Sequence, residues 1–365
     1  MTFKLPKFTP PDFSLDFLAN APDCKIEEVT KEGVAHKNYH ALSIYPEYFK
    51  IKGKWVLATE SRMDSVAIVL LNYNGDNVIQ IVEFRNLKVH DMVVVGRTED
   101  GSEGIYMYTR GFAINSVDID TFAFRGGRSR ETAFSRDYDE LYKIMQYEKE
   151  HAGKIVWVLG PSIALDDKSR AAFASLVENG YVHAVLSGNT MATYDLEKAM
   201  FKTISGQDTF ESRETAHYNY IATINDARRF GSLKELINSG KVKDGILKAC
   251  VENDVPLVLA GSVRDRYTLP NVYDNVYESQ DAMRKHTRKA TMLICLSSVL
   301  HTIAAGNMTP SYTVKDGIVR PVYIYSIDIQ EFSVNKLSDR GTLEVKTLVT
   351  NIQDFIVNVA DGLIK

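Results

Sequence analysis

The sequence predicts an α/β protein: a parallel sheet covered by helices in its second half, preceded by a smaller β-rich domain. The first observation is the stretch 154–200, KIVWVLGPSIALDDKSRAAFASLVENGYVHAVLSGNTMATYDLEKAM. An apolar run over 155–159 stops at Gly160 and Pro161. An amphipathic segment carries Ala172, Phe173, Leu176 and Val177, and a second apolar run over 182–186 stops at Ser187, Gly188 and Asn189. Apolar runs without alternation, divided by a helical period, are the pattern of a β-α-β unit. The second observation is that the order strand, small or polar tip, helix recurs to the end of the sequence, which argues for a parallel sheet. Ligands of such sheets gather beyond the carboxyl ends of the strands, so those tips are the first candidate site residues.

In chain order, residues 1 to about 45 are rich in Pro, aromatics and charge without a sustained period, and read as an irregular arm packed on the body or on a neighbour. The runs WVLA, SVAIVLLNY, NVIQIVEF and MVVVG between 48 and 95 are strand-length, and Tyr73-Asn74-Gly75-Asp76 is a hairpin turn because Asn-Gly supplies positive φ angles. A Gly/Arg-rich connection over 98–136, with Arg125, Arg128, Arg130 and Arg136, reads as a solvated loop or an anion-covering one. Apolar residues at helical spacing over 138–151 form a connecting helix, and the boundary is set there: 1–137 the arm and β-rich domain, 138–365 the α/β domain. Residues 218–226, 232–237 and 245–250 read as helices, 255–260 as a strand ending in Gly261-Ser262-Val263-Arg264-Asp265, and 280–304 as one long buried helix. Strands over 322–327, ending at Asp328, and 345–349, ending at Thr350-Asn351, precede a terminal helix over 352–364.

The 365 residues suffice for two domains, and 45% apolar with 25% charged residues is ordinary for a soluble protein. A formal charge of −4 without a basic stripe excludes the usual nucleic-acid signature. Three distant cysteines, Cys24, Cys250 and Cys295, offer neither a disulfide framework nor a CxxC metal site, and fit a reducing cytoplasm. The N-terminus has no secretory apolar core, and the apolar stretch 290–305 is too short and too polar for a membrane span. No HExxH, paired-Cys or carboxylate cluster indicates a metal, and no GxSxG indicates a hydrolase elbow.

GxGxxG and GxxxxGK[ST] are both absent, so a nucleotide would be held by another arrangement of strand tips. Glycines allow close backbone approach, helix N-termini offer N–H groups to phosphate, and Asp328 can accept from ribose hydroxyls. Asp339-Arg340-Gly341-Thr342 suits either a helix-ending turn or a phosphate. Arg264-Asp265 is a local ion pair or an arginine for a substrate carboxylate. His217, at a helix start, shuttles protons or is structural; His301, on an apolar helix face, reads as a satisfied core histidine.

VHAVLSGNTMATYDLEKAM, VLAGSVRDRYTLPNVYDNVYESQDAMR, VLHTIAAGNMTPSY and YSIDIQEFSVNKLSDRGTLEVKTLVTNIQDF, with SRMDSVAIV around Asp64, together resemble the archaeal-type ornithine cyclodeaminase family, also called the lysine-oxoglutarate reductase/saccharopine dehydrogenase bifunctional-enzyme C-terminal-domain family. The resemblance runs from about Tyr48 to the C-terminus. It implies a deoxyhypusine-synthase-like NAD-binding domain, and an enzyme that oxidises the α-amine of ornithine with bound NAD, lets the δ-amine attack the imine, releases ammonia and reduces the cyclic imine to proline. On that reading His217, Arg264, Asp265 and Asp64 are the catalytic candidates. The cofactor candidates are Gly160, Pro161, Ser187, Gly188, Asn189, Gly261, Ser262, Asn307, Asp328, Asp339, Arg340, Thr350 and Asn351, with no metal. It also implies an amino-acid substrate and a homo-oligomer, a tetramer favoured.

The chain departs from the pattern on its substrate side. A Gly-Gly-Pro strand end is Leu159-Gly160-Pro161 here, a Gly-His-x-His-His segment is Ala216-His217-Tyr218-Asn219-Tyr220, and an Asn-His-Pro segment is Ser43-Ile44-Tyr45-Pro46. Two alternatives therefore stand beside cyclodeamination: a dehydrogenase or amine-transfer enzyme for another amino acid or diamine, and a non-catalytic NAD-binding regulator.

Overall fold

The computed structural model describes residues 3–71, 75–112, 133–203, 217–315, 317–330 and 343–364, without the side chains at 133–136, 217, 299 and 300. Seven strands form one parallel sheet in the order Val272–Tyr273, Leu257–Ala260, Ala184–Gly188, Ile155–Leu159, Met292–Leu296, Tyr323–Asp328, Glu344–Val349. From Ile155–Leu159 the chain first builds outward on one side, then returns to place Met292–Leu296 on the other. The strand order therefore reverses between these two central strands, the position where open sheets hold ligands.

Both faces of the sheet are covered, which is why its strands show no alternation in sequence. Ile155, Trp157 and Leu159 pack with Phe173, Leu176, Leu196, Ile224 and Phe355 from the helices of one face. Val156 and Val158, one residue out of phase, pack with Ala282, Met283, Ala305 and Met308 from Val276–Thr287 and Val299–Met308 on the other. The helix expected over 280–304 is corrected by the same fact. Residues 276–287 and 299–308 are helices, but Met292–Leu296 between them is a central strand, its Met292, Ile294 and Leu296 facing one core and Leu293 and Cys295 the other. Burial on both sides erased the period that would have distinguished it from a buried helix.

The β-rich half comprises an antiparallel sheet in the order Lys25–Glu28, Met92–Val95, Ser65–Leu71, Asn77–Glu83, and a second of Lys54–Leu57, Glu47–Ile51 and Ile105–Met107. Ser65–Leu71 and Asn77–Glu83 pair antiparallel with Leu71 opposite Asn77, while residues 72–74 of the expected turn, like the connection over 113–132, lie outside the described residues. The N-terminal arm does pack on the body. Phe3 meets Tyr147 and Tyr323 edge-on at 5.1 and 5.8 Å, and Phe13 stacks on Trp55 at 5.7 Å.

The hairpin of Tyr312–Lys315 and Ile318–Pro321 reaches from the second half to the first. Ser311 N donates to Ser61 O at 2.9 Å, Tyr312 Oη to Ala58 O at 2.6 Å and Val314 N to Thr59 O at 3.2 Å. The boundary set at 137/138 falls inside the helix Ala133–Glu150.

One buried ion pair fixes three helices around the first crossover. Asp195, fully buried, accepts from Arg170 Nε at 2.8 Å and from the N–H groups of Ile246 and Leu247 at 3.0 and 2.9 Å, capping the helix Ile246–Glu252. The approach leaves no room at Gly245, whose φ is +113° and where a Cβ would lie 2.4 Å from Arg170 Nη2. Arg170→Ala would strand the Asp195 carboxylate in the core, with an expected loss of about 3–5 kcal/mol in urea unfolding.

Candidate functional site at the strand ends

The two central strands end in contact. Gly160 N donates to Leu296 O at 2.7 Å, and a Cβ on Gly160 would lie 1.8 Å from Ser297 O, so only glycine fits there. Ser297 itself takes a left-handed φ of +48°, turning the chain from strand into the helix Val299–Met308. That helix carries His301 over the neighbouring strand tip, where a Cβ on Gly188 would lie 2.9 Å from His301 Cε1. His301 Nδ1 and Ser298 Oγ lie 3.1 Å apart. Burial lowers the His301 pKa, with the nearby Arg264 charge adding to the effect and Asp265 opposing it, so the imidazole is neutral at pH 7. His301 is thus a strand-end group rather than the core histidine expected from its apolar helix. The missed signal was its position, three residues after a strand whose existence the sequence concealed.

Opposite it, the loop after Leu257–Ala260 is held in place by Asn189. The Asn189 side chain, 1% exposed, donates to Asp265 Oδ1 at 3.2 Å and Tyr267 O at 3.3 Å and accepts from Leu269 N at 3.0 Å. Asp265 also accepts from Ser262 N at 2.7 Å, so its carboxylate is fixed beside His301, whereas Arg264 is exposed and makes no ion pair among the described residues. Of the two readings of Arg264-Asp265, the local ion pair does not form among the described residues, and the arginine stays open to a ligand carboxylate. Tyr220 joins the group: burial raises its pKa, hydrogen bonds to Thr193 and Thr190 oppose this, and Asp265 adds to it.

On the other side of the reversal, at the same edge, a cleft of ≈ 780 Å³ is lined by Tyr138, Asp166, Lys168, Thr350, Asn351 and Asp354, among others. Pro161 opens a short 3-10 turn beside it. Gln353 Nε2 ties that turn to the helix Ile352–Ile364 by donating to Ser162 O at 3.0 Å, and Asn351 Oδ1 accepts from Gln353 N and Asp354 N at the same helix start. Asp328 ends its strand with Oδ1 accepting from Gln330 N at 3.0 Å. The volume suits a cofactor-sized ligand, with a lysine for phosphate and carboxylates and amides for hydroxyl groups.

Several sequence candidates take other places. Ser187, fully buried, donates its hydroxyl to Leu159 O at 2.6 Å and so serves the sheet rather than the rim. Asn189 serves the loop, as described. Gly261 joins its N–H to Tyr273 O at 2.7 Å in extending the sheet edge. Asp64 and Asn307 line a different cleft, between the two halves of the chain. His217 opens the helix His217–Phe230, but its side chain is outside the described set, as are residues 339 and 340 altogether. The sequence showed no metal motif; the fold brings His40, Glu47 and Glu99 within 4.8 Å of one another in the β-rich half, with His40 Nε2 2.6 Å from Glu47 Oε2.

A parallel sheet with its ligand-sized space at the reversal of strand order defines a Rossmann-type α/β protein. Residues 139–359 match the model of the arginine dihydrolase ArgZ-like C-terminal Rossmann-fold family, and the chain belongs to that family. It is 30% identical to the ornithine cyclodeaminase of Methanocaldococcus jannaschii over 356 residues, covering 94% of this chain and 78% of that protein. It is 31% identical to AgrE of Nostoc sp., a bifunctional arginine dihydrolase/ornithine cyclodeaminase, over 346 residues; here the chain spans 47% of the relative's length. Among solved structures, a conserved LOR/SDH protein of Methanococcus maripaludis superposes with a TM-score of 0.77 at 28% identity, covering 94% of this chain and 98% of that one. The ternary complex of AgrE with ornithine and NAD+ superposes with a TM-score of 0.58 at 29% identity, covering 94% of this chain and 46% of that one. Among the described residues no helix is long and apolar enough to cross a membrane.

Gly160→Ala must push two strand ends apart, and is expected to weaken NAD binding by at least about tenfold, measured by calorimetry. His183, His286 and His301 all have pKa values lowered chiefly by burial. Their neutral forms contribute stability that is complete above the unfolded histidine pKa of about 6.5 and is lost as pH falls through their lower folded values. Denaturant midpoints should therefore drop between pH 7.5 and pH 5, and His301→Gln should flatten part of that slope.

Proposed function

We propose that the chain is an NAD-dependent ornithine cyclodeaminase-like enzyme, converting ornithine to proline and ammonia. The observation that carries this is the juxtaposition at the strand ends of a neutral His301, an anchored Asp265 and an unpaired Arg264. NAD fits the structure at the reversal: the adjacent cleft has the size and mixed donors and acceptors it needs, with Lys168, Asp166, Thr350 and Asn351 to hold it. When bound it supplies two-electron oxidation and reduction at the substrate's α-carbon.

The protein's own groups do the rest. Arg264 receives the α-carboxylate, as a guanidinium without an ion pair can do bidentately. Asp265 accepts from a substrate ammonium. His301 takes the proton that the α-amine must lose before oxidation, a role open to an imidazole held neutral by burial, and returns it as ammonia departs. Tyr220 stays protonated and offers a hydroxyl beside Asp265. Loss of ammonia balances the reaction, since ornithine minus NH3 is proline.

Three buried free thiols are consistent with a reducing cytoplasm, and the family relation is the ground for proposing a homo-oligomer, a tetramer, which light scattering checks. Purified protein given NAD and ornithine is expected to form proline and ammonia in equal amounts without accumulating NADH. Net NADH would instead indicate a dehydrogenase for another amino acid, and NAD binding without turnover of any basic amino acid a regulator. His301→Ala should reduce kcat by about 10²-fold or more, and Arg264→Ala should act mainly on KM.

A further inference from the structure

His40, Glu47 and Glu99 line neither cleft, and they reach one another in the β-rich half from three separate segments of the chain. Each is positioned by bonds made outside the cluster. Glu47 opens the strand Glu47–Ile51 opposite Met107, and its Oε1 accepts from Ser43 N and Ser43 Oγ, both at 2.6 Å, which turns Oε2 toward the imidazole. His40 is held by its backbone N–H, which donates to Val94 O at 3.1 Å, and by its ring, which meets Phe49 edge-on at 5.8 Å. Glu99 lies on a loop pinned at two points. Met107 N donates to Glu99 O at 2.9 Å, and Glu103 Oε2 accepts from Arg97 N and Thr98 N at 2.7 and 2.8 Å.

A hydrogen bond of 2.6 Å joins His40 Nε2 and Glu47 Oε2, and the two residues are 2% and 0% exposed. That pair accounts for two members of the cluster but not for the third. The Glu99 carboxylate, partly exposed, faces the pair with no hydrogen bond or ion pair of its own among the described residues. Burial and the Glu47 charge raise its pKa, and the imidazole opposes them. No lysine or arginine among the described residues pairs with either carboxylate. Two carboxylates converging on one imidazole, with their ligand atoms within 4.8 Å of one another, form a donor set for a divalent transition-metal ion. We propose that His40, Glu47 and Glu99 bind one such ion, with Zn2+ the best match and water completing its coordination. The ion takes the place between Nε2 and Oε2, and the imidazole then carries its proton on Nδ1.

Glu47 also anchors the loop on which the second half of the chain lands. Ser43 O accepts from Ser61 Oγ, and Ile44 O accepts from Ser311 Oγ at the start of the docking hairpin. An ion that ties Glu47 to His40 and Glu99 therefore stiffens the seat of that hairpin, and its role is structural. None of the three residues belongs to the strand-end group, so the claim stands whether or not the enzyme cyclises ornithine.

The full chain, stripped with EDTA and dialysed, is titrated with Zn2+ by calorimetry, and its thermal midpoint is measured with and without the ion. One Zn2+ per chain is expected to bind and to raise the midpoint. Mg2+, which prefers an octahedron of oxygens, is expected to bind at least about 100-fold more weakly. Glu99→Gln, at a partly exposed position, should keep the metal-free midpoint, weaken Zn2+ binding at least about tenfold and remove most of the shift. His90→Gln, which deletes the exposed histidine beside Glu28, and Arg264→Ala, which disables the strand-end site, should leave Zn2+ binding unchanged. The proposal is overturned by a wild-type chain that takes up no Zn2+, by binding that Glu99→Gln does not alter, by binding lost in His90→Gln, or by Mg2+ binding as tightly as Zn2+. Turnover of ornithine enters none of these measurements, so failure of the cyclodeaminase reading and failure of this one give different results.

Discussion

The contact between Gly160 and the backbone of Ser297 is the constraint from which the strand-end geometry follows. Two parallel strands leave their last hydrogen bonds side by side, and with no side chain between them the chain must part to opposite faces of the sheet. One path becomes the short turn at Pro161 that borders the larger cleft; the other becomes the helix bearing Ser298 and His301. A larger residue at 160 would separate the strand tips, and both paths would lose their starting point.

The polar groups at this edge divide into those that hold the structure and those left for a ligand. Asn189 and Ser187 spend their hydrogen bonds on the loop and the sheet, and are nearly inaccessible. Asp265 is half spent, oriented by Ser262 and Asn189 yet facing the buried imidazole. Arg264 is unspent. Preorganisation of this kind places the cost of aligning the groups in folding rather than in binding.

Much of the fold was legible because the signals were local. Gly-Pro and Ser-Gly-Asn tips mark where apolar runs stop, and Asn-Gly marked a hairpin whose flanking strands do pair. The strand Met292–Leu296 was hidden because its two faces are equally apolar, and with it went the place of His301 and the position of the strand reversal. Tips identify an edge but not which tips face a ligand. Ser187 and Gly188 are neighbours in sequence, yet one points into the sheet and the other lies under an imidazole. Asp64 and Asn307 carried no sign that they would share a cleft, since their meeting depends on how the two halves dock.

That docking is secured twice, by the hairpin that pairs with residues 58–61 and by the arm that sets Phe3 against Tyr147 and Tyr323. The first few residues of the chain thus complete the surface of its second half, while part of the second half completes the first. Neither half is a module that could be cut out cleanly: severed near the connecting helix, each would carry a bare seam of aromatic rings and unmated backbone, prone to self-association.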